Sequence, residues 1–232
     1  MSSALILAAT GLNREAKILA GPGLRAIAGG GDGGRLEAEL EACCAEALGV
    51  ISIGLGGALA PGLAPGDWVV ASAVVDGGER LPVAGGWASR LLARLDGAQL
   101  GVIAGSDVMV PDAAAKAALH ATTGALVVDM ESHIAARVAA RHGLPFAAAR
   151  TVSDGADRVL PKAAQAGMKP DGGMDVWGVI RALARDPGEL PALIRTALEA
   201  ETAFRALLRG RQLLGPALGF GADLSQLLVD VG

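Results

Sequence analysis

Short apolar runs alternate with amphipathic stretches along most of the chain. Uncharged runs long enough for one buried strand lie at 4–9, 50–53, 68–75, 100–104, 126–128 and 145–149. Between several of these runs the apolar residues recur at helical spacing, which predicts helices over 35–48, 112–121 and 131–142. This alternation predicts an α/β fold, a three-layer sandwich built on a mainly parallel central sheet.

The pattern changes after about residue 154. Pro161, Pro170 and a turn sequence at 171–173 separate the sheet region from two predicted helices, 174–185 and 190–209. The remaining segment, 210–232, is apolar and interrupted by glycine, and its pattern does not assign it to an element. No internal repeat or linker divides the sequence. We therefore expect residues 1–232 to form a single domain whose C-terminal part, about 174–232, is helical.

Composition and charge exclude several classes of protein. Of the 232 residues, 52% are hydrophobic and 19% charged, which excludes a disordered chain, and the net charge of −4 provides no basic surface for nucleic acid. Cys43 and Cys44 are adjacent and are expected to be reduced thiols on a helix. Without a signal-peptide pattern or a long apolar run, we expect a soluble, cytoplasmic protein. The three histidines lack the spacing of metal ligands, so no metal is expected.

A glycine-rich run, Gly29 to Gly34, fits the phosphate-binding pattern G-x-G-x-x-G. It raises the alternative of a Rossmann NAD(P)-dependent oxidoreductase. The next strand, however, leads into Gly54 and Leu55 without the acidic residue that would bind an adenosine ribose, so a turn that approaches another ligand explains the run better. Gly56 and Gly57 follow that strand, where glycine lets backbone N–H groups face an anion or a planar base.

Carboxylates follow two of the predicted strands. Asp129 and Glu131 come after the strand at 126–128, and Asp154 comes after the strand at 145–149. Since the carboxyl ends of parallel strands meet at one edge of a sheet, these acids are expected to lie close together. Each acid alone has a simple explanation as a helix start or a cap, but that explanation does not account for the pair. The pair therefore predicts an active site.

Three stretches of the chain surround these acids: GLGGALAPGLAPGDWVV, SDVMV and VVDMESHIAARVAARHGLPFAAARTVSDGAD. Together they resemble the nucleoside phosphorylase and nucleosidase superfamily, above all its methylthioadenosine/adenosylhomocysteine nucleosidase branch, over about residues 4–157. A fourth stretch, ADRVLPKAAQAGMKPDGGMDVW, resembles the bacterial hopanoid-associated phosphorylases, which are thought to remove adenine from adenosylhopane. The resemblance implies a nucleoside phosphorylase-like fold and cleavage of an N-glycosidic bond with no cofactor.

The resemblance also assigns roles to individual residues. It implies that Asp154 protonates the imidazole-ring nitrogen of the purine with Ser153 orienting it, which agrees with the need of a purine anion for an acid. It implies that Glu131 accepts from the ribose hydroxyls while Met130 packs on the sugar. Further substrate contacts are implied for Met109, against the base, and for the turn with Gly56 and Gly57. Asp129 stands where the nucleosidases have Glu, and its role stays open. His133 is expected on a helix surface rather than in the site.

The nucleophile is either water or phosphate. In nucleosidases a Glu in the first strand–helix turn activates water, and Glu15 lies in the corresponding region; Arg14 beside it could instead bind phosphate as a co-substrate. Ser52 and Leu55 stand near the positions where bacterial phosphorylases carry an Arg and a phosphate-binding Ser, which favours water.

We therefore expect an enzyme that releases adenine from an adenosine-type nucleoside. The resemblance implies adenosylhopane as its substrate, while a methylthioadenosine/adenosylhomocysteine nucleosidase, a phosphate-dependent purine nucleoside phosphorylase and a nucleoside-binding protein without catalysis stay open as alternatives. The apolar stretch at 174–180 suggests a mouth that takes a lipid chain, with ordinary core packing as the other explanation. The expected partners are thus a small, lipid-linked nucleoside, transient contact with a membrane surface and, from the resemblance, a second copy of the chain.

Overall fold

The computed structural model describes residues 5–166, 172–173 and 175–221. The strands in these residues are β1 (Leu5–Thr10), β2 (Leu24–Ala28), β3 (Ala47–Ala58), β4 (Trp68–Asp76), β5 (Glu79–Pro82), β6 (Gln99–Gly105), β7 (Ala125–Asp129) and β8 (Phe146–Asp154). The six predicted strands are confirmed, although β3 and β8 extend well beyond the apolar runs. The sequence analysis did not find β2 and β5.

The helices of the described chain are α1 (Asn13–Leu19), α2 (Gly33–Glu41), α3 (Gly85–Arg94), α4 (Ala113–Thr123), α5 (Ser132–Arg141), α6 (Lys162–Ala166), α7 (Val176–Arg185) and α8 (Leu190–Leu214). The predicted cap of α4 is confirmed, because Asp112 Oδ1 accepts the N–H of Ala115 at 2.8 Å. The two predicted C-terminal helices are confirmed as α7 and α8. Met174 and the end of the tail, 222–232, lie outside the described residues.

The helix predicted over 35–48 is wrong in its second half. Helix α2 ends at Glu41, a short 3₁₀ helix follows at Cys44–Glu46, and β3 begins at Ala47. Helix propensity gives way here because β3 must pair with β1 from its first residue. Cys43 and Cys44 are free and buried, as reduced thiols would be, but they lie after α2 rather than within one helix.

The sheet is mixed and closed, which corrects the expected three-layer sandwich. Its order is β2-β1-β3-β7-β6-β4-β5, and β8 pairs with both β3 and β4, so that β3, β7, β6, β4 and β8 form a barrel-like ring. Parallel pairs join β1 to β2 and β3, β3 to β8, and β6 to β4 and β7. Antiparallel pairs join β3 to β7, β4 to β5 and β4 to β8.

Strand β3 makes this closure because it is twelve residues long and pairs with different partners at its two ends. It pairs with β1 over 47–52 and with β8 over 50–57, whereas Gly57 and Ala58 at its end pair with β7. Gly56 permits the crossing, since a Cβ there would lie 3.1 Å from the carbonyl oxygen of Val128 and 3.3 Å from Arg150 Cβ. The carboxyl ends of β3, β7 and β8 therefore meet.

Apolar side chains fill both faces of the sheet. Leu7 belongs to one buried cluster and its neighbour Ile6 to the other, as the twofold alternation of a strand requires. Helix α5 adds Ile134 to the first cluster, and α8 adds Leu207 to the second. Among the described residues, no helix is both long and apolar enough to cross a membrane. The single domain stays a prediction.

Candidate active site

A cavity of about 270 Å³ lies at the carboxyl ends of β1, β3, β7 and β8. Its lining includes most of the predicted site residues: Glu15, Gly56, Gly57, Met109, Met130, Glu131, Ser153 and Asp154. These residues come from distant segments of the chain, and the closed sheet brings them to one place. The second part of the lining is mainly apolar and comes from the segment after β6, from the region of α6 and from α8: Val108, Val110, Leu160, Ala164, Thr196 and Ala200.

Asp154 is the last residue of β8, and its carboxylate is buried. Ser153 Oγ lies 2.6 Å from Asp154 Oδ1, to which it donates, and 3.2 Å from the carbonyl oxygen of Gly56. A buried lysine, Lys116, donates to Asp154 Oδ2. Gly57 lies beside the carboxylate, since a Cβ there would contact both of its oxygens at 3.5 Å. Ser153 thus orients Asp154, and the lysine balances its charge.

Glu15 lies in the first turn of α1 and is buried. Its Oε2 accepts the N–H of Leu12 at 2.6 Å, and its Oε1 accepts the N–H of Leu55 at 2.6 Å, so the side chain joins α1 to the end of β3. Gly54 permits this approach, since a Cβ there would lie 2.6 Å from Glu15 Oε1. Burial raises the pKa of Glu15 above its ordinary value, against the backbone donors and the more distant Arg150, which lower it. A carboxylate with a raised pKa is a stronger base.

Glu131 follows β7 and shares the cavity with Glu15. A Cβ on Gly11 would lie 3.2 Å from Glu131 Oε1 and 3.3 Å from Glu15 Oε2, so the two carboxyl groups flank the same point above this glycine. Burial, followed by the nearby negative charge of Asp129, raises the pKa of Glu131 to about 8, and Arg150 opposes the rise. Ligand groups that donate hydrogen bonds to Glu131 would favour its ionised form.

Asp129, whose role the sequence left open, supports Glu131 through the backbone. Its Oδ1 accepts the N–H of Glu131 at 2.9 Å and that of Ser132 at 2.7 Å, which caps the start of α5. Its Oδ2 accepts from Ser132 Oγ and, at 2.6 Å, from Arg150 Nε. Asp129 therefore fixes the direction in which the chain leaves β7.

Arg150 is a functional residue that the sequence analysis missed. It is fully buried in β8, and its Nη2 donates to Ser52 Oγ at 2.6 Å and lies 3.7 Å from Glu131 Oε2. Ser52 is thus engaged by the guanidinium rather than aimed at a phosphate. The missed signal was an arginine inside the apolar run of β8, because a buried charge needs an opposite charge nearby and the acids at the strand ends supply it.

Lys116 was missed for the same reason. It stands alone among the alanines of α4 and is only 1% exposed. Besides Asp154 Oδ2, its Nζ donates to the carbonyl oxygens of Gly155, at 3.0 Å, and Arg158, at 3.3 Å. The three protons of the ammonium group therefore have three acceptors.

The structure does not bring Arg14 to the cavity. This predicted phosphate or substrate contact is half-exposed, pairs with Glu201 on α8 at 2.7 Å, and lies over the ring of Phe204, 4.0 Å from its centroid. Arg14 and Glu15 are adjacent in α1, and adjacent helical residues face different sides of the helix. Arg14 therefore points away from the buried Glu15.

The expected surface position of His133 is wrong. This histidine is buried, its Nε2 lies 3.0 Å from Asp107 Oδ1, and it does not line the cavity.

The glycine-rich run contributes Gly31 to the cavity, next to Met130. The dinucleotide interpretation fits poorly, because Asp32 Oδ1 accepts the N–H of Arg35 at 2.9 Å and so places its own carboxylate at the start of α2. A cofactor pyrophosphate would need that position.

Comparisons of the sequence and the fold with known proteins find similar proteins. The profile of the phosphorylase superfamily matches residues 26–171. The structure of 5′-methylthioadenosine/S-adenosylhomocysteine nucleosidase from Helicobacter pylori is similar at 16% identity, with a TM-score of 0.60, over 91% of this chain and 99% of that one. The structure of S-adenosylhomocysteine nucleosidase from Streptococcus pyogenes is similar at 20% identity, with a TM-score of 0.58, over 86% of this chain and 98% of that one. The structure of futalosine hydrolase of H. pylori is similar at 16% identity, with a TM-score of 0.59, over 79% of this chain and 98% of that one. The comparison with curated proteins finds no match.

Proposed function

Because the chain belongs to the phosphorylase superfamily, which confirms the resemblance at that level, we propose that it cleaves the N-glycosidic bond of an adenosine-type nucleoside and releases adenine. The observation that carries the proposal is the convergence of Glu15, Glu131 and Asp154 on one cavity. Each of these carboxyl groups has a different set of partners, so one site offers an acid, a sugar acceptor and a base. Glycosidic cleavage needs these three functions together.

On the leaving-group side, Asp154 serves the purine. As the bond from the sugar to the base breaks, negative charge develops on the purine, and a proton delivered to its imidazole ring makes it a better leaving group. Ser153 at 2.6 Å holds Asp154 in one orientation, and Met109 lies in the same lining for contact with the base.

On the sugar side, Glu131 and Glu15 act on the two reactants of the substitution. Glu131, supported by Asp129, accepts hydrogen bonds from the ribose hydroxyls and stabilises the positive charge that develops on the sugar. Glu15 takes a proton from the attacking water, since both of its oxygens are fixed by backbone N–H groups and a raised pKa makes its ionised form a stronger base.

Water is the proposed nucleophile rather than phosphate. Among the described residues that line the cavity there is no Arg or Lys, while Glu15, Asp129, Glu131 and Asp154 bring acidic groups to it. Such a lining offers a phosphate dianion no positively charged side chain. Arg14, the side chain predicted as a possible phosphate contact, is engaged elsewhere by Glu201.

The finer substrate proposal is adenosylhopane, an adenosine whose 5′ position carries a hydrocarbon, in hopanoid biosynthesis. The apolar part of the lining suits such a substituent. Residues of α7 and α8 also leave large apolar side chains in solvent, with Trp177 73% exposed: Trp177, Ile180, Leu190, Ile194 and Leu198. We propose that this apolar surface contacts a membrane transiently, because an amphipathic helix binds at a lipid surface through its exposed apolar face.

The proposal is tested by incubating the purified protein with methylthioadenosine, adenosylhomocysteine and adenosylhopane, with and without phosphate, and measuring adenine by chromatography. We expect phosphate-independent release and a higher kcat/KM for adenosylhopane in vesicles than for methylthioadenosine. Trp177→Ala should lower only the vesicle reaction. Binding without turnover would instead identify a nucleoside-binding protein, strict phosphate dependence a phosphorylase, and a large preference for methylthioadenosine would exclude the lipid substrate.

Two further properties complete the proposal. We propose a homo-oligomer and a cytoplasmic location, in line with the resemblance and with the free thiols of Cys43 and Cys44. Light scattering of the purified protein measures the first, and cell fractionation measures the second.

A further inference from the structure

Lys116 is the buried cation closest to the leaving-group side of the cavity, yet it does not line the cavity itself. Taking an ammonium group out of water is strongly unfavourable unless an opposite charge and hydrogen bonds compensate for the lost hydration. The compensating charge is Asp154, whose Oδ2 accepts from Lys116 Nζ. Whatever Lys116 contributes to catalysis therefore passes through Asp154.

The arrangement around Asp154 defines what that contribution is. Both oxygens of the carboxylate accept hydrogen bonds, Oδ1 from Ser153 and Oδ2 from Lys116. A carboxylate that accepts at both oxygens carries no proton of its own to give. The group in direct contact with Asp154 that carries transferable protons and a full positive charge is the ammonium of Lys116.

We infer that Lys116 is a positioning residue for the leaving group, which holds Asp154 in place and supplies the proton that Asp154 passes to the purine. This inference rests on the proposed glycosidic cleavage. When the bond between the sugar carbon and the purine breaks, its electron pair goes to the purine. The imidazole-ring nitrogen takes a proton from Asp154, and Asp154 takes one from Lys116, which becomes a neutral amine. The water that adds to the sugar gives its proton to Glu15, and solvent returns Lys116 and Glu15 to their starting states.

The local fold fixes the position of Lys116 beside Asp154, the two residues of the proposed proton relay. Asp112 caps the start of α4, one turn before Lys116, and Pro111 accepts the N–H of Leu160 at 2.8 Å. Lys116 itself contacts the carbonyl oxygens of Gly155 and Arg158 in the segment after β8. These contacts give Lys116 a structural role as well, so the experiment must separate the two roles.

The experiment compares two leaving groups in Lys116→Met. Methylthioadenosine, or adenosylhopane where the wild type cleaves it faster, needs a proton on its leaving purine, whereas the nitrophenolate of p-nitrophenyl β-riboside leaves without one. We expect kcat for adenine release to fall by about 10²-fold or more, the scale of general acid catalysis, with KM changed less than about threefold. Release of nitrophenolate should stay within about threefold of the wild type. Lys17→Met, which removes an exposed charge from α1, controls for the loss of one cation.

Each outcome decides the inference. An equal loss with both substrates would assign Lys116 a structural role only, and unchanged adenine release would show that the relay is not needed. If Lys116→Met does not fold, Lys116→Gln keeps donors for the two carbonyl oxygens but has no ammonium, and the same ratio of activities applies. Wild-type protein that cleaves neither substrate would instead refute the proposed function itself, which makes the two failures distinguishable.

Discussion

Arg150 donates from Nε to Asp129 Oδ2 at 2.6 Å, and this buried ion pair joins the end of β7 to the middle of β8. Both partners are about 1% exposed in their side chains. The same carboxylate accepts the N–H of Glu131, so the pair determines where that side chain stands in the cavity. The shorter side chain of Asp129, compared with the Glu of the nucleosidases, suits an acceptor of backbone N–H groups two and three residues further on.

Removing Arg150 should therefore destabilise the fold strongly. Arg150→Met leaves Asp129 buried without its counter-charge, and we expect the free energy of unfolding to fall by about 3–5 kcal/mol, measured by urea titration. Arg14→Met is the matched control, since it breaks the half-exposed pair with Glu201 and should cost no more than about 1 kcal/mol. Similar losses in the two variants would contradict the structural importance of the buried pair.

The raised pKa of Glu131 predicts a pH dependence of stability. The folded protein keeps Glu131 protonated up to about pH 8, whereas the unfolded chain releases that proton near its ordinary value of 4.5. The folded state thus binds more protons between these values, and stability falls as pH rises through this window, by at most about 1.4 kcal/mol per pH unit from this group. In Glu131→Gln the decline between pH 5 and 8 should be smaller, as measured by urea titration at each pH. Parallel curves for the two proteins would contradict the raised pKa.

Much of the fold was predictable from the sequence, but its closure was not. Each apolar run became a strand, because burial of a run without charges is a local property. The pairing of β8 with β4 involves Arg150 and Thr151, which lie beyond the predicted run. The charge of Arg150 ended the apolar pattern, so the sequence did not predict that the strand continues there. The glycines that end β3 read as a turn in the sequence, although Gly54 and Gly56 are part of the strand and make room for Glu15 and Arg150.

The candidate site, like the fold, was predictable from the sequence only in part. Glu131 and Asp154 were predictable because they lie at or just after the ends of strands, although the closed, mixed sheet rather than a parallel one brings these ends together. Lys116 and Arg150 were not, since a buried cation is explained only by its partner, and Lys116 lies 38 residues before Asp154 in the chain. The different orientations of Arg14 and Glu15 depend on which side of α1 faces the cavity, and the sequence analysis did not find α1.

Glu15→Gln should slow hydrolysis of both leaving groups alike. The amide cannot take the proton of the attacking water, so kcat should fall by about 10²–10⁴-fold with methylthioadenosine and with p-nitrophenyl β-riboside. Added azide, a nucleophile that needs no base, should restore cleavage and give a ribosyl azide detectable by mass spectrometry. A loss confined to methylthioadenosine would place Glu15 on the leaving-group side and contradict its role as the base.

Lys116 and Asp154 should behave as one unit in a double-mutant cycle. If the proton passes from one to the other, removing either breaks the same relay, and Lys116→Met combined with Asp154→Asn should be no slower than Asp154→Asn alone, within about threefold. Adenine release at saturating methylthioadenosine measures the cycle. Independent, multiplying losses in kcat would show that the two side chains act separately.

Asp154 and Glu131 have different proposed tasks, and mutation should separate them. Asp154→Asn keeps the shape and hydrogen-bonding reach of the side chain but removes the carboxylate that passes a proton to the purine, so the barrier should rise by about 3–5 kcal/mol with little change in KM. Glu131→Gln loses an acceptor that binds the ribose in the ground state and more strongly as the sugar becomes cationic, so both KM and kcat should worsen. The p-nitrophenyl substrate should restore the activity of Asp154→Asn and leave Glu131→Gln impaired. Normal cleavage by both variants, with normal folding, would reduce the two acids to caps of strand ends and would remove the basis of the proposed enzyme mechanism.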